Sequence, residues 1–240
     1  MAASALLNEL LGLILPVQCP SCGEFDTSWC ARCRAALPEL PLRVERNVPR
    51  LARLGGESRL PVWALAPYEG GFRETILAWK DRGRVDLDRP LARAVADGAR
   101  ALAPLLAAIC LDRRLLVIPA PSSRASRRSR GRDHLQPLAR VVATTLDAKV
   151  APVLGRHRGR DQVGQSARGR GNIRLTLAAS ALARASSSGP TSCLLFDDVV
   201  TTGATICAAQ RVLAAAGAQV IGAFVLAATP PPAGRVRRIE

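Results

Sequence analysis

The residues from Leu194 to Thr205 constrain the fold more than any other stretch of the chain. A short apolar run, which predicts a strand, ends in two adjacent carboxylates, Asp197 and Asp198, and a loop of hydroxyl residues with one glycine follows. The apolar, alanine-rich segment 206–216 then predicts a helix. A strand, an acidic edge, a small loop and a helix in this order predict a parallel α/β sheet, with a ligand at the carboxyl ends of its strands.

The loop after the two acids predicts a phosphate site. Amides at the start of a helix lack partners four residues back, so they bind an anion with help from the helix dipole. Glycine lets the backbone come close to the anion, and the threonines add hydroxyl donors. The loop residues are Thr201, Thr202, Gly203, Ala204 and Thr205. Carboxylates repel a phosphate but accept hydrogen bonds from vicinal hydroxyls, so the two acids and the loop together predict a sugar 5-phosphate. The alternative is a buried strand with an acidic turn and a capped helix.

This stretch closely resembles the PRPP-binding motif of type I phosphoribosyltransferases, and it differs from a Walker A loop because no Gly-Lys-Ser/Thr follows the glycine. The resemblance implies that Asp197 and Asp198 hold the ribose 2- and 3-hydroxyls and that the 201–205 loop holds the 5-phosphate. It also implies Mg²⁺ bound together with PRPP, with few protein ligands.

Two Cys-x-x-Cys pairs near the start of the chain predict a structural zinc knuckle. The pairs are Cys19 with Cys22 and Cys30 with Cys33, and Gly23 suits a tight turn after the first pair. Disulfides or a redox pair are the alternatives, and a reducing compartment disfavours the first. Cys110, Cys193 and Cys207 lie in apolar segments and are expected in the core.

The chain is strongly basic, with 34 Lys and Arg against 19 Asp and Glu and a net charge of +15. Arginine dominates, since Lys80 and Lys149 are the only lysines. Guanidinium groups bind phosphate, pyrophosphate or a nucleic-acid backbone, although genome base composition explains the same usage. The apolar segment 5–15 contains Glu9 and no basic residue precedes it, so we expect no signal peptide, no membrane span and a cytoplasmic protein.

Two polar loops follow predicted strands and are expected near the same ligand. The first loop, 122–131, combines hydroxyls and guanidiniums; in the resemblance it corresponds to the pyrophosphate loop, and a solvated basic loop or a nucleic-acid patch are alternatives. Its candidate residues are Ser122, Ser123, Arg124, Arg127, Arg128 and Arg130. The second loop, 155–172, is long and glycine-rich, and in the resemblance it is a mobile loop that closes over PRPP. Its candidates are Arg156, Arg158, Gln162, Arg168 and Arg170.

Nearly the whole chain resembles the ComF family. The knuckle is followed by Tyr68, Lys80 and Gly83, as in the family's Y…G…K-x-x-G pattern, and 130–134 is similar to its R-G-x-[ND]-[QH] signature. The resemblance implies a phosphoribosyltransferase fold, a link to competence for DNA uptake, and an unassigned base or amine as acceptor. Two functions stay open: a phosphoribosyltransferase, which we favour, and a non-catalytic PRPP-sensing or single-stranded-DNA-binding factor. The residues do not indicate an oligomeric state.

The predicted organisation is an α/β phosphoribosyltransferase-like domain with helices on both faces of the sheet, preceded by the knuckle. The expected boundaries are an N-terminal helix in 1–16, the knuckle in 17–37, a linker with little regular structure in 38–61, the transferase domain in 62–228 and a tail in 229–240. Besides the strand that leads into Asp197, strands are expected over 62–68, 115–118, 150–154, 173–177 and 220–227. Further helices are expected over 71–80, 87–108 with a break near Pro104, 135–146 and part of 178–190.

Overall fold

The computed structural model describes residues 17–52, 60–110, 113–121, 132–156, 173–186 and 189–230. Within them the strands are β1 (Leu42–Arg43), β2 (Val62–Pro67), β3 (Arg114–Pro119), β4 (Lys149–Val150), β5 (Leu154–Arg156), β6 (Leu175–Leu177), β7 (Thr191–Val200) and β8 (Gln219–Ala228). Six of them form a sheet with the order β1-β2-β8-β7-β3-β4, in which β1 is antiparallel to β2 and all other neighbours are parallel. The short strands β5 and β6 pair antiparallel with each other.

Helices cover both faces of the sheet, which confirms the predicted α/β class. The helices are α1 (Ala31–Ala35), α2 (Pro49–Ala52), α3 (Gly70–Lys80), α4 (Asp88–Cys110), α5 (Leu135–Thr145), α6 (Ala179–Ser186) and α7 (Ala204–Ala215). Side chains of β7 alternate between two buried clusters. Leu194 and Phe196 pack with α3, α4 and α5, whereas Cys193 and Leu195 pack with α2, α6 and α7.

Most predicted elements are present, and two differ in shape. The strand expected over 150–154 is instead the end of β4 and the start of β5, separated by residues 151–153. The break expected near Pro104 is absent, since α4 continues through it to Cys110. A proline removes one helical hydrogen bond, but Leu102 and Leu106 are buried on either side and hold the helix against the sheet.

The segment 42–52 contains more regular structure than expected for a linker. Strand β1 extends the sheet beside β2, and a 3-10 helix, Glu45–Asn47, leads into α2. The buried Glu45 carboxylate accepts hydrogen bonds from Arg43 and from the amide of Val62, so it joins this segment to the sheet edge. Val48 and Leu51 are each 1% exposed. The segment therefore packs as part of the α/β unit.

The knuckle, residues 17–37, packs on the same face of the sheet as α3. Cys19, Trp29 and Cys30 belong to the buried cluster that also contains Phe72 and Trp79. The rings of Trp29 and Phe72 are stacked with centroids 5.8 Å apart. This cluster places the knuckle directly against the first half of α3.

Several expectations lie outside the described residues. These are the N-terminal helix in 1–16, the residues 53–59, and the tail beyond Pro230. Over the described parts of the chain, every helix is too short or too polar to cross a bilayer.

Candidate functional site

The two acids lie within β7, three and two residues before its end at Val200. The sequence pattern placed them at the edge of the strand, whereas the ladder to β8 continues past them through Val199 and Val200. Because side chains alternate along a strand, Asp198 shares the face of Leu194 and Phe196, towards α3 and α5. Asp197 shares the face of Cys193 and Leu195. The pair thus reaches both sides of the sheet at its carboxyl edge.

Asp198 is held by two nitrogen groups from neighbouring helices. The ammonium of Lys80, the last residue of α3, lies 2.5 Å from Asp198 Oδ2. The ring of His134, next to the start of α5, places Nε2 3.0 Å from the same oxygen, and His134 is 4% exposed. An ionised carboxylate only accepts, so His134 Nε2 carries a proton and donates it. Burial favours the neutral acid, but the His134 hydrogen bond and the Lys80 charge outweigh it and hold the pKa of Asp198 well below its usual range.

The neighbouring acid behaves in the opposite way. Burial, together with the negative charge of Asp198, raises the pKa of Asp197 to about 7. Its Oδ1 accepts a hydrogen bond from the Asp198 amide at 2.8 Å, which opposes part of that rise. The pair therefore holds one firmly ionised carboxylate and one that takes up a proton far more readily.

The loop 201–203 and the start of α7 follow β7 directly. The role of Gly203 differs from the one that the sequence predicts. Gly203 has a φ of 78°, so it needs the left-handed conformation. A Cβ at Gly203 would lie 2.7 Å from Cγ1 of Val48 and 3.0 Å from Cγ of Leu51. The glycine is thus required by its backbone and by packing on 48–51, rather than by a close approach of an anion on that side. Arg50 also donates its amide to the Thr202 carbonyl at 3.0 Å.

These groups line a cleft of about 310 Å³ at the carboxyl edge of the sheet, a volume within the usual range of small-molecule sites. Its walls are Tyr68, Lys80, Asp81, Ala120, Pro121, Arg156, Asp197, Asp198, Val199, Thr201 and Thr205. The cleft brings together carboxylates, hydroxyls, an ammonium and a guanidinium. Such a set can bind a molecule that carries both hydroxyl and phosphate groups.

The predicted site residues divide into three groups. Asp197, Asp198, Thr201, Thr205 and Arg156 line the cleft. Of the remaining loop residues, Thr202 is exposed, Gly203 is buried against 48–51, and Ala204 begins α7. The candidates in 122–131 and those at 158, 162, 168 and 170 lie outside the described residues.

The sequence pattern missed the role of His134 and left that of Lys80 open. His134 occupies the last position of the 130–134 signature, so the signal was present but carried no stated role. Arg132, in the middle of that signature, bonds both oxygens of Asp88 at 2.6 and 2.7 Å and reaches the Trp79 carbonyl at 3.3 Å. A contact across 44 residues between a loop and a helix start leaves no local pattern in the sequence.

The four knuckle cysteines form a separate candidate metal centre. Their sulfur atoms all lie within 4.8 Å of one another, so the cluster could hold a metal ion such as zinc. Four thiolates around Zn²⁺ at about 2.3 Å form a tetrahedron with edges of roughly 3.8 Å. The Cys22 and Cys30 sulfurs are 3.7 Å apart, so this edge already has the required length. The donor set therefore fits a structural zinc site.

A second cleft, of about 760 Å³, lies at the opposite edge of the sheet. Its walls come mainly from the ends of α4 and α5 and the start of β3, and Asp147 is the carboxylate among its lining residues. Its volume exceeds that of the first cleft, but the paired acids and the threonine loop lie only in the first. We therefore place the candidate chemistry at the carboxyl edge.

Residues 136–239 match the family model described as the phosphoribosyl transferase domain. The match begins in α5 and includes β7, both acids and the loop that opens α7. No curated protein matches the chain significantly. The family match and the parallel sheet agree with the predicted fold class, and the four-cysteine cluster is compatible with the predicted knuckle.

Solved structures with a similar arrangement include three phosphoribosyltransferases. A hypoxanthine phosphoribosyltransferase from Staphylococcus aureus aligns at 13% identity over 62% of this chain and 70% of that chain, with a TM-score of 0.37. An adenine phosphoribosyltransferase from Rhodothermus marinus aligns at 20% identity over 57% and 67%, with a TM-score of 0.37. The adenine enzyme from Trypanosoma brucei, in complex with AMP, pyrophosphate and ribose-5-phosphate, aligns at 13% identity over 75% and 92%, with a TM-score of 0.38. Similarity at this level is too low to indicate a shared substrate.

Proposed function

We propose that the protein is a ComF-like phosphoribosyltransferase that binds PRPP with Mg²⁺ and transfers phosphoribose to a nitrogenous base or amine. The observation that carries the proposal is the junction of β7 and α7 within one cleft. It presents a carboxylate pair and then, within eight residues of Asp198, the threonines and helix start that suit a phosphate. The family match over 136–239 supports a PRPP-using transferase in general.

In this proposal the carboxylates hold the ribose and the loop holds the 5-phosphate. Lys80 and His134 contact Oδ2 of Asp198, and Oδ1 accepts from the Val199 amide at 2.7 Å, so Asp198 offers the remaining lone pair of Oδ1 to a hydroxyl. Asp197 accepts the second hydroxyl when it is ionised. Thr201, Thr205 and the first amides of α7 receive the phosphate. Held this way, the ribose keeps C1 in line for displacement of pyrophosphate, so catalysis depends on positioning and electrostatics.

Cationic side chains would neutralise the charge that builds on the departing pyrophosphate. Arg156 lies at the rim of the cleft and donates from Nε to the Pro121 carbonyl at 3.2 Å. The arginines and serines of 122–130 and the arginines of 158–170 are proposed for the same task. When bound, Mg²⁺ would neutralise phosphate oxygens, and the carboxylates in the cleft are the oxygen donors that this ion prefers.

The same proposal includes the organisation of the chain. We propose a cytoplasmic protein with zinc in the knuckle 17–37 and a transferase domain that takes in the packed segment 42–52 as well as 62–228. The competence link of ComF proteins and the acceptor enter only through the resemblance of the knuckle, Lys80 and the 130–134 signature.

Titration of PRPP and Mg²⁺ into the full chain tests the proposal. We expect saturable binding by calorimetry, and at least a tenfold loss of affinity in Asp198→Asn, because the half-buried Lys80 and the buried His134 lose their shared anion. Thr205→Val should also weaken binding, since it removes a hydroxyl from the cleft. Asp97→Asn is the matched control, because Asp97 is exposed on α4 and its ion pair in the described part of the chain is with Arg100 of the same helix.

A screen of bases and amines for pyrophosphate release then separates transfer from binding. Turnover with any acceptor, lost in Asp198→Asn, establishes the transferase. Binding of PRPP with no release from any acceptor would instead support a sensor, and equal binding by the wild type and Asp198→Asn would overturn the assignment of the site.

A second candidate, binding of single-stranded nucleic acid at the knuckle, rests on one exposed ring. Phe25 is 60% exposed, and its neighbour Glu24 lies 4.0 Å from Arg32. Bases stack on exposed aromatic rings while arginines follow the backbone, and such binding weakens steeply with salt. We expect Phe25→Ala to lower the affinity for single-stranded oligonucleotides several-fold in a salt titration. Binding that is unchanged by both Phe25→Ala and Arg32→Ala would exclude the knuckle as the nucleic-acid site.

A further inference from the structure

Helix α3 connects the cysteine knuckle to the carboxylate pair. At its first turn Ser21, between Cys19 and Cys22, donates from Oγ to the Gly71 carbonyl at 2.8 Å and lies 2.8 Å from Thr75 Oγ1. At its last residue Lys80 forms the ion pair with Asp198. We propose that the knuckle is a positioning element of the carboxylate site, and that Lys80 is the positioning residue through which it acts.

The contact between the knuckle and α3 is close enough to fix the helix. A Cβ at Gly71 would lie 2.7 Å from the Ser21 Cβ and 3.0 Å from its carbonyl oxygen, so the two backbones meet without room for a side chain. The ring of Trp29 stacks on the ring of Phe72, the residue that follows Gly71 in α3. Just beyond α3, Arg84 donates from Nη1 to the Gln18 carbonyl at 3.1 Å. The knuckle therefore holds α3 at its start and the chain just after its end.

The far end of α3 is equally constrained by the core. Trp79 donates from Nε1 to Asp88 at 2.7 Å, and its ring meets the ring of His134 edge-on at 4.9 Å. His134 and Lys80 then converge on one oxygen of Asp198. The helix rises about 13.5 Å between Gly71 and Lys80, and a close-packed interior of this kind transmits strain. A shift of its first turn is therefore carried to the ammonium.

A metal ion in the knuckle would set the position of Ser21. The knuckle has little regular structure of its own in the described residues: the five-residue α1 and one isolated bridge between Gln18 and Phe25. Four thiolates bound to one ion would fix the turn that carries Ser21. Metal binding and ligand binding at Asp198 would then be linked, and linkage requires each to change the affinity for the other by the same factor.

The chain offers a direct probe because Lys80 and Lys149 are its only lysines. Labelling with [6-¹³C]lysine gives two NMR signals, one from the carboxylate site and one from β4 at the opposite edge of the sheet. We expect Asp198→Asn and removal of zinc by a chelator each to shift the Lys80 signal and leave the Lys149 signal in place. This arm needs no PRPP, so it stands apart from the proposed function.

If removal of zinc by a chelator unfolds the chain, the Ser21→Ala variant tests the coupling instead. This variant keeps all four cysteines, so its zinc content by elemental analysis stays at one ion per chain while the bond to Gly71 is lost. We expect its Lys80 signal to move in the same direction as in the zinc-free protein. Ser28→Ala is the control on the same knuckle, outside these contacts. A Lys80 signal that is unchanged in Ser21→Ala, or in folded zinc-free protein, overturns the coupling.

A second experiment measures the binding of PRPP with Mg²⁺, and it rests on the proposed function. We expect Lys80→Met to weaken PRPP binding about tenfold, within the usual range of couplings between sites, and Lys80→Arg to restore most of it. Lys149→Met should bind as the wild type does. If zinc-replete protein shows the Lys80 shifts but binds no PRPP, the proposed function is refuted and the coupling stands. If Lys80→Met leaves PRPP binding unchanged, the role of Lys80 is overturned.

Discussion

At the scale of single residues, the two acids are set up for different tasks. Lys80 and His134 keep Asp198 ionised, whereas burial and the charge of Asp198 raise the pKa of Asp197 to about 7. A protonated Asp197 is a poorer acceptor for a ribose hydroxyl. We therefore expect PRPP affinity to fall as the pH drops below about 7, by at most tenfold per pH unit. Calorimetry between pH 5.5 and 8.5 measures this slope, which should be shallower in Asp197→Asn, where the phosphates of PRPP still titrate with a pKa of about 6.

The raised pKa of Asp197 also predicts a pH dependence of folding stability, which runs in the opposite direction to that of PRPP affinity. Between the ordinary pKa of an aspartate and about 7, folded Asp197 binds a proton that the unfolded chain has released. Its contribution to stability is therefore present at low pH and is lost as the pH rises through about 7. Because this loss accumulates between the ordinary aspartate pKa and about 7, we expect Asp197→Asn to melt a few degrees higher than the wild type at pH 8 and to keep only about a third of that gain at pH 5. A stability gain that is equal at both pH values would contradict this assignment.

Arg132 joins the loop before α5 to the end of α3 and the start of α4. Its guanidinium bonds both oxygens of Asp88 and reaches the Trp79 carbonyl, and its side chain is 25% exposed. We expect Arg132→Ala to lower the free energy of unfolding by about 1 kcal/mol, and Arg132→Lys to behave similarly because one ammonium cannot replace the planar fork. Urea unfolding measures this difference.

Arg100→Ala is the matched control for Arg132. Its pair with Asp97 joins two exposed side chains on one helix, and such pairs contribute less than about 0.5 kcal/mol. Equal losses in Arg132→Ala and Arg100→Ala would show that the Asp88 contact adds no more than a surface pair.

At the scale of elements, the start of α7 depends on a neighbour that is distant in sequence. Gly203 and Gly217 have nearly the same φ, 78° and 75°, but only Gly203 faces packed side chains at 2.7 Å. We expect Gly217→Ala to lower the free energy of unfolding by about 1 kcal/mol through its backbone alone. Gly203→Ala adds overpacking against Val48, so we expect a loss of about 3 kcal/mol, together with loss of binding at the proposed phosphate site. Similar losses in the two variants would contradict the contact with Val48.

The elements that could be predicted from the sequence are those whose signal is local. The apolar runs of β7 and β8 and the periodic pattern of α5 indicated their type and nearly their limits. The segment 42–52 was not predicted, because short elements between prolines have too few residues to show a period, and they form only by packing on β2 and Gly203. Likewise, the pairing of Lys80 with Asp198 joins residues 118 positions apart, which no local pattern encodes.

At the scale of the whole molecule, two N-terminal segments support the two halves of one cleft. The knuckle packs on α3 and so supports the side where Lys80 and His134 meet Asp198. The segment 42–52 packs under the other side, where Val48 and Leu51 contact Gly203 and the Arg50 amide binds the Thr202 carbonyl. The match to the family model begins only at residue 136, within α5, although the cleft also takes residues from earlier in the chain. The cleft is thus completed by parts of the chain that precede the match.

Two truncated chains separate these contributions. Residues 38–240 lack the knuckle, so Phe72 loses the Trp29 ring that stacks on it, and we expect a lower melting temperature and a displaced Lys80 signal, with the amide signals of Thr202 and Gly203 kept. Residues 62–240 also lack α2, and the loop before α7 loses the Arg50 bond and the Val48 contact. We therefore expect those amide signals to shift or broaden in the shorter chain alone, in ¹⁵N-edited spectra. Unchanged loop signals in 62–240 would mean that α7 holds its first turn without help from 42–52.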